Sequence, residues 1–582
     1  MTASRRALAL LLLLFSVSGC AGRSAHPVEK APVSFVARGR SAVVATAHPA
    51  ATAAALEMLQ FGGNLVDALA ASSLAVGVVR PQSTGLGGGG FAVLVLRGAD
   101  GELDARAFDF RERAPRKATR ELYRRAPRDA SLFGALAVAT PGLVAGILEI
   151  HQRFGRLPRQ RVFEPAIRLA EEGFAVYPGL ARASARMRSL LERHPESRRL
   201  FLPGGEPLRE GQRLRQPELA ATLRRIAAEG ADGFYRGPVA RAIAEEVRRL
   251  GGVLDEKDLR AYRVVERPVL RRAWRGFEIF AMPPPSAGGV LWFEMLAMLD
   301  AAGLDVSRLS VARRAHLLAE VMRRAYEDRA RYLGDPDFVD IPLERLLSAD
   351  YAASRMSSFR PDRATPAPVG AASLGGVNTT HISILDAEGN AVAATETINY
   401  AFGSGITVPG TGVVLNNEMD DFVTRPGEPN VYGLLGSEAN AVAPGKTPLS
   451  SMSPTVVCRD GSPFSGPRQP RRLAHRHGHA RDLPERRLAP DGAARGGRGP
   501  SHPPPGVPEP HLLRSRSAPR RREGGARANG ARARGDRTHG GRAGRHAGSR
   551  RVPRRGLRPE GRRQTGRFLR ARFGLASLAD RC

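Results

Sequence analysis

Hydrophobic residues recur every three to four positions along several stretches between residues 50 and 332, which is the spacing of a helix that buries one face. The first of these stretches is rich in alanine and ends at Gly62 and Gly63, a pair typical of a helix C-terminus. The helices predicted in this way are Ala50–Gln60, Asn64–Val79, Leu143–Phe154, Gln160–Gly173, Glu218–Gly230, Pro238–Leu250 and Val311–Tyr332.

Strand patterns lie between and after these helices. The apolar run Phe91–Leu96 follows the glycine-rich stretch PQSTGLGGGG and predicts a buried strand entered from a flexible turn. Two short strands are predicted further on, at Gly412–Leu415 and Thr455–Cys458. The combination of helices and strands predicts a mixed fold of the α+β class.

A β-hairpin is predicted from Thr380 onward, where two alternating runs flank a turn rich in Asp, Gly and Asn. If the turn is centred near Glu388, the numbers of facing residues add up to about 776. This register places Thr397 opposite Thr379, so the two threonine side chains are expected to be neighbours.

The formal charge of +32 on the 582 residues is unevenly distributed. Residues 465–582 hold 31 arginines, no lysine and 8 acidic residues, and so account for 23 of the 32 charges. The same segment has no isoleucine, methionine, tyrosine or tryptophan. Because it cannot build a core, we predict that it is disordered.

Two explanations of this arginine-rich tail stay open. It is either a basic arm that binds nucleic acid or membrane, or the aberrant product of a reading-frame shift in GC-rich coding sequence. The abrupt change of composition, directly after an apparent strand and turn (PTVVCRDGSPF), favours the frame shift. In a secreted protein no nucleic-acid partner is expected.

The N-terminus has the layout of a secretory signal, because Arg5 and Arg6 precede the apolar run Ala7–Phe15 and the sequence VSGC. This run is too short to span a bilayer comfortably. VSGC also resembles a bacterial lipobox, in which Cys20 is lipidated and becomes the mature N-terminus. A plain signal peptide and a lipoprotein signal over residues 1–20, followed by a linker over residues 21–33, are equal alternatives. Both predict a protein that is periplasmic or tethered to the outer membrane.

The sequence NTTH, residues 378–381, offers a route to nucleophilic catalysis. A threonine hydroxyl is a poor nucleophile until a base removes its proton, and cleavage before a threonine frees an α-amine that is such a base. Cleavage between Asn378 and Thr379 creates this arrangement, and Thr397 is placed to hydrogen-bond and orient the hydroxyl. The motif alone is weak, since threonines are common at strand edges.

Twelve short motifs between residues 42 and 464 resemble, in their order and spacing, the γ-glutamyltranspeptidase family. They are GGNLVDALA, GLGGGGF, DFRERAPRKAT, TPGLVAG, FYRGPVA, MPPPSAGG, YLGDPDF, NTTHISILDAEGNAVAATETIN, FGSGI, LNNEMDDF, PNVYGL and PLSSMSPTVV. Not one of these strings is decisive alone, but their shared order makes an accidental similarity implausible.

The resemblance implies a four-layer αββα sandwich of the N-terminal-nucleophile hydrolases. It implies that the precursor cleaves itself between Asn378 and Thr379 into a large subunit, residues 34–378, and a small subunit, residues 379–464, which stay associated without a covalent link. Thr379 would then attack glutathione or its conjugates. The resulting γ-glutamyl-threonine intermediate passes its acyl group to water, an amino acid or a peptide. No metal or cofactor is implied.

Substrate recognition follows from the γ-glutamyl group, which carries an α-carboxylate and an α-ammonium far from the amide that is cleaved. A carboxylate is best bound by a bidentate cation and hydroxyls, and an ammonium by acids and amide oxygens. Asp420 competes with Asp421 for one of these roles on sequence alone, while the family pattern favours Asp421. The residues that match the family are Arg111, Ser450 and Ser451 for the carboxylate, Asn399, Glu418 and Asp421 for the ammonium, and Tyr432 for a lid loop.

Two tempting features are interpreted as structural. The run Gly87–Gly90 lacks the GK[ST] ending of a phosphate-binding loop. His381 is close to the nucleophile, but the α-amine of Thr379 already fills the role of base.

The chain departs from the family pattern after PLSSMSPTVV, where the family has a paired-glycine turn whose N–H groups stabilise the oxyanion. Here the sequence is SGPRQPRR. Loss of such a donor costs about 10²–10³ in rate, so we predict poor or absent self-cleavage and turnover for this chain. The alternative functions are a related acylase, acting on glutaryl-cephalosporins or poly-γ-glutamate, and an inactive product with a basic binding tail.

Overall fold

The computed structural model describes residues 37–366, 379–425, 427–428, 430 and 436–463. Within these ranges the strands are β1 Ala42–Ala45, β2 Gly89–Arg97, β3 Leu103–Phe110, β4 Phe174–Ala175, β5 Arg213–Leu214, β6 Val265–Arg267, β7 Leu270–Trp274, β8 Phe277–Ala281, β9 Thr380–Asp386, β10 Ala391–Thr397, β11 Thr407–Val408, β12 Val413–Val414, β13 Thr455–Arg459 and β14 Ser462–Pro463.

The helices of the described residues cluster in the part of the chain before β9. They are α1 Pro49–Gln60, α2 Leu65–Val79, α3 Arg120–Arg125, α4 Leu143–Phe154, α5 Arg159–Glu172, α6 Pro178–Arg186, α7 Arg188–Leu191, α8 Pro195–Phe201, α9 Pro217–Glu229, α10 Asp232–Tyr235, α11 Gly237–Arg249, α12 Glu256–Ala261, α13 Gly288–Ala301, α14 Val311–Tyr332, α15 Leu343–Leu346 and α16 Ala349–Met356. In the described part of the chain, no helix is both long and apolar enough to cross a lipid bilayer.

The larger sheet has six antiparallel strands in the order β1-β9-β10-β2-β3-β6. The predicted hairpin β9–β10 lies within it, and its register pairs Ala391 with Leu385 and Glu396 with Thr380. Both pairs add up to the predicted 776, so the register is confirmed. On its other edge β10 pairs with β2, which brings the glycine-rich turn before β2 beside the end of the hairpin.

The smaller sheet has the order β14-β13-β8-β7 and packs face to face on the larger one. Phe91, Val93 and Ala393 of the larger sheet share an apolar core with Phe280 and Val456 of the smaller sheet. Side chains alternate between the two faces of a strand, so the intervening residues of β2 and β10 face the outer side of the larger sheet.

Helices cover both outer faces. Val392 and Ala394 of β10 pack with α2, whose fifteen residues are all buried because the sheet lies on one side and other helices lie on the other. On the second sheet, Ile279 and Ala281 of β8 pack against Phe293 of α13, and α14 packs on α13. The layers therefore run helix, sheet, sheet, helix, which confirms the predicted α+β sandwich.

Local sequence explains where the helices begin and end. Asn64 accepts N–H bonds from the first turn of α2 while Asp67 accepts from the Asn64 N–H, the reciprocal arrangement of a capping box. The seven predicted helices are confirmed with bounds that differ by at most one residue. Among the elements that the prediction missed are β3, β7, β8 and α13, together with most of the short strands and short helices. The predicted disordered tail, residues 465–582, lies outside the described residues.

Candidate active site

Thr379 directly precedes β9 and is half-buried on the face that points toward the second sheet. Its Oγ1 lies 3.4 Å from Oγ1 of Thr397, as the hairpin register predicts. Thr397 is buried, and its hydroxyl accepts the N–H of Asn399 at 2.8 Å. A hydroxyl has one proton to donate and two lone pairs, so Thr397 keeps its proton available for the Thr379 oxygen.

His381 lies on the same strand face as Thr379, two residues further along β9. Its two ring nitrogens are 2.8 Å from the hydroxyl of Thr395 and 3.0 Å from that of Ser383. Both ring positions are therefore engaged by hydroxyls, in agreement with the structural role expected from the sequence.

The glycine run Gly87–Gly90 lets the backbone pass close to Thr397. A Cβ on Gly88 would lie 2.1 Å from the carbonyl oxygen of Thr397, and the Gly88 carbonyl accepts the N–H groups of Gly142 and Leu143 at the start of α4. The run thus allows close backbone approach, which agrees with its interpretation as structural.

Arg111, directly after β3, lies at the centre of a buried cluster of charges. Its side chain is 1% exposed and forms ion pairs with Glu418 and Asp421, while its Nε donates to the carbonyl of Pro448 at 2.9 Å. Burial lowers the pKa of Arg111, but the negative charges of Glu418 and Asp421 outweigh it and raise this pKa overall. Three predicted binding residues are thereby brought together from segments about 310 residues apart in the chain.

A short 3₁₀ turn, Glu418–Asp421, decides between the two adjacent aspartates. Asp421 faces Arg111 and also accepts the side-chain N–H of Asn430 at 3.1 Å. Asp420 points elsewhere and accepts the hydroxyl of Ser131 at 2.9 Å. The structure therefore places Asp421, and not Asp420, in the charged cluster.

Asn399 is held in a left-handed backbone conformation with φ of 70°, which asparagine tolerates better than most residues. Its side-chain Nδ2 donates to the carbonyl of Asn417 at 3.1 Å, immediately before Glu418. Through Thr397 on one side and Asn417 on the other, Asn399 connects the threonine pair to the charged cluster.

Ser450 and Ser451 follow Pro448, the residue whose carbonyl binds Arg111. Ser450 is buried and its hydroxyl accepts the N–H of Met452 at 3.1 Å, whereas Ser451 is exposed. The segment thus lies beside Arg111, but the two hydroxyls have different surroundings.

Sequence reasoning missed a third carboxylate in the cluster, Glu112, although it stands in the same DFRERAP motif as Arg111. Glu112 is fully buried, and neither of its oxygens accepts a hydrogen bond from an N–H or hydroxyl of the described residues. Burial and the adjacent charge of Glu418 raise the pKa of Glu112 well above its usual value. Burial also raises the pKa of Glu418 to about 7. Two carboxyl groups packed side by side in a buried site disfavour the ionisation of both.

Three predicted residues cannot be placed. Asn378, on the other side of the expected cleavage bond, Tyr432 of the expected lid and Cys20 of the expected lipid anchor all lie outside the described residues.

An αββα sandwich with a threonine at the start of an inner strand, oriented by a second hydroxyl and connected to a buried charged cluster, has the architecture of the N-terminal-nucleophile hydrolases. Comparison with known proteins identifies the family within this class. The family model for gamma-glutamyltranspeptidase matches residues 51–465.

Individual relatives agree with the family model. The chain is 40% identical to a glutathione hydrolase proenzyme of Escherichia coli, over 78% of this chain and 80% of that protein. It is 39% identical to an acylase ACY 1 proenzyme of Pseudomonas, over 74% and 76% of the two chains. The crystal structure of a cephalosporin acylase from Bacillus halodurans superposes with a TM-score of 0.65 at 28% identity, covering 75% of this chain and 78% of that one. The chain belongs to the γ-glutamyltranspeptidase family.

Proposed function

We propose that this protein is the precursor of a γ-glutamyltransferase with glutathione hydrolase activity. The observation that supports this most strongly is the pairing of the Thr379 and Thr397 hydroxyls at 3.4 Å, linked through Asn399 to a buried cluster of a guanidinium and carboxylates. A γ-glutamyl group has the complementary pair of charges. The proenzyme relatives support maturation by cleavage.

In the proposed mechanism the chain first cleaves before Thr379, which gives a large subunit ending at Asn378 and a small subunit beginning at Thr379. The free α-amine then takes the hydroxyl proton while Oγ1 attacks the γ-carbonyl carbon. The amine of the leaving peptide takes that proton as the amide bond breaks. Water or an acceptor amine releases the γ-glutamyl group from the threonine ester.

In substrate binding, we assign the α-carboxylate to Arg111 with Ser450 and Ser451, and the α-ammonium to Asn399, Glu418 and Asp421. Arg111 is already paired with Glu418 and Asp421 before substrate arrives. A ligand that carries both charges exchanges these ion pairs for new ones. Its ammonium pairs with the carboxylates, and its carboxylate pairs with the guanidinium. Tyr432 is proposed to close over the bound group.

Acylase activity on glutaryl substrates is the second candidate, supported by the acylase relative. A glutaryl group has a carboxylate but no ammonium. It would compete with Glu418 and Asp421 for Arg111 and bring no ammonium to compensate the two carboxylates, which is costly in a buried site. The carboxylates beside Arg111 therefore favour a γ-glutamyl over a glutaryl substrate.

The cellular location is proposed from the N-terminal sequence alone. A signal over residues 1–20 directs the protein to the periplasm, and lipidation of Cys20 would tether it to the outer membrane.

The test is hydrolysis of γ-glutamyl-p-nitroanilide, and transfer of its acyl group to glycylglycine, by the chain as it stands and by a frame-restored chain. The latter has the reading frame corrected after residue 464, so that a paired-glycine turn follows PLSSMSPTVV. We expect the frame-restored chain to be active and the present chain to be slower by about 10² or more. Thr379→Ala should abolish activity.

The matched control is Thr380→Val, because the Thr380 hydroxyl is buried on the opposite strand face without a partner among the described residues. This variant should retain activity. A frame-restored chain that releases no nitroaniline, or a Thr379→Ala variant that still does, would disprove the proposal.

A further inference from the structure

Arg329, in the last turn of α14, differs from the other buried arginines of the described residues. Those others are Arg111, which pairs with Glu418 and Asp421, Arg267, which pairs with Asp109 and Asp337, and Arg324, which pairs with Glu320. Arg329 is 5% exposed, yet it has no carboxylate within ion-pair distance among the described residues, and its Nε donates no hydrogen bond to them.

A buried guanidinium without a partner is costly, so its retention calls for a compensating anion. The charges that act on Arg329 are those of Asp421, which attracts it, and Arg111, which repels it. Burial lowers the pKa of Arg329, and attraction by Asp421 offsets only part of this effect. Asp421 is thus attracted by two guanidinium groups, those of Arg111 and Arg329, and is paired only with Arg111 among the described residues.

Backbone contacts independently place the end of α14 beside the candidate site. The Arg331 carbonyl accepts the hydroxyl of Ser437 at 3.0 Å. Asn440, three residues later, donates its side-chain N–H to the Asp421 carbonyl at 2.6 Å. Arg329 therefore lies near the charged cluster and reaches it from a different element than Arg111 does.

We propose that Arg329 is a second carboxylate-binding residue of the site, which receives the α-carboxylate of the γ-glutamyl group together with Arg111. This inference rests on the proposed function. When the substrate ammonium binds Asp421, the carboxylate on the same carbon is brought within reach of both guanidinium groups. Arg329 then acquires the anionic partner that the described residues do not supply, and it determines specificity for substrates with an α-carboxylate.

The experiment measures binding by calorimetry to the full chain of three small acids: L-glutamate, glutarate and 4-aminobutyrate. All three share the carboxylate that corresponds to the reacting end of the substrate. Glutarate lacks only the ammonium, and 4-aminobutyrate lacks only the α-carboxylate, so the two effects separate. The variant is Arg329→Met, which keeps the side-chain length without the charge, and a cation without a partner is readily replaced by an apolar group.

We expect Arg329→Met to weaken binding of glutamate and glutarate about tenfold or more and to leave 4-aminobutyrate unchanged. Arg329→Lys should restore part of the loss, because it keeps the charge but not the fork of N–H donors. It is also the variant to use if the Met variant does not fold. The control is Arg331→Met, an exposed arginine on the same helix, which should bind all three acids normally.

The alternative outcomes are distinct. If Arg329→Met binds glutamate and glutarate as tightly as the unchanged chain does, the proposed role of Arg329 is overturned and the proposed function stays intact. A loss confined to glutamate and 4-aminobutyrate shows that Arg329 acts through Asp421 on the ammonium, and also overturns it. If neither the unchanged chain nor the frame-restored chain binds any of the three acids, the proposed function itself fails.

Discussion

Glu396 gives a prediction about stability that depends only on the fold. It lies in β10 next to Thr397, is fully buried, and points toward α2. The Ser73 hydroxyl lies beside its carboxyl group without the geometry of a full hydrogen bond, and no N–H of the described residues donates to it. Burial raises the pKa of Glu396 from 4.5 to about 7.

The sign follows from the two pKa values. Below pH 4.5 the carboxyl is protonated in both states and has no effect on pH dependence. Between pH 4.5 and 7 the unfolded chain loses the proton first, so stability falls as pH rises, and above pH 7 the full loss is reached. Each pKa unit corresponds to about 1.4 kcal/mol, so burial of this ionisable group costs about 3 kcal/mol at pH 8.

Glu396→Gln removes the ionisation and keeps the shape. We compare the gain in free energy of unfolding of Glu396→Gln over the parent at two pH values. This gain should be larger at pH 8 than at pH 4 by about 2–3 kcal/mol. The assay is urea unfolding at both pH values in a Thr379→Ala background, where the chain stays in one piece. The control is Glu388→Gln in the exposed hairpin turn, which should show no such difference. An equal effect of Glu396→Gln at both pH values would refute the reasoning.

Three further predictions concern the site and are measured on the frame-restored chain. Thr397→Val should stop or strongly slow cleavage before Thr379, which is followed on denaturing gels. The substitution removes the facing hydroxyl and leaves the Asn399 N–H unpaired, at a cost of about 1–3 kcal/mol. Thr397→Ser keeps the hydroxyl and should cleave normally. Arg111→Lys should raise KM for γ-glutamyl-p-nitroanilide about tenfold or more, since lysine cannot make the same three contacts; an unchanged KM would contradict this. Gly88→Ala should lower the free energy of urea unfolding by about 1–3 kcal/mol, because the added methyl group clashes with the Thr397 carbonyl. Undiminished stability would contradict this prediction and show that the backbone around Gly88 and Thr397 shifts to make room.

The sequence was sufficient for the hairpin because strand alternation and a short turn leave only one register that keeps the apolar residues on buried faces. That register alone placed Thr397 opposite Thr379. The long helices could also be predicted from the sequence, because their hydrophobic period and their capping residues are local properties. Two of the three ammonium-binding candidates, Glu418 and Asp421, lie against Arg111, and their role in substrate binding stays a prediction.

Other features depend on contacts between distant segments and have no local signal. Thr395, Glu396 and Thr397 have the composition of a half-exposed strand, yet all of β10 is buried because a helix covers one face and the second sheet lies toward the other. The choice of Asp421 over Asp420 was made by the turn of a 3₁₀ helix. Arg329 lies about 90 residues before Asp421, and only the packing of α14 brings them together.

The central claim is that the chain is built to cleave itself before Thr379, and N-terminal sequencing with intact mass measurement of purified protein tests it most directly. For the frame-restored chain we predict two fragments, one of which begins at Thr379, and for the present chain little or no cleavage. A frame-restored chain that stays in one piece, or a new terminus at any residue other than Thr379, would contradict the account.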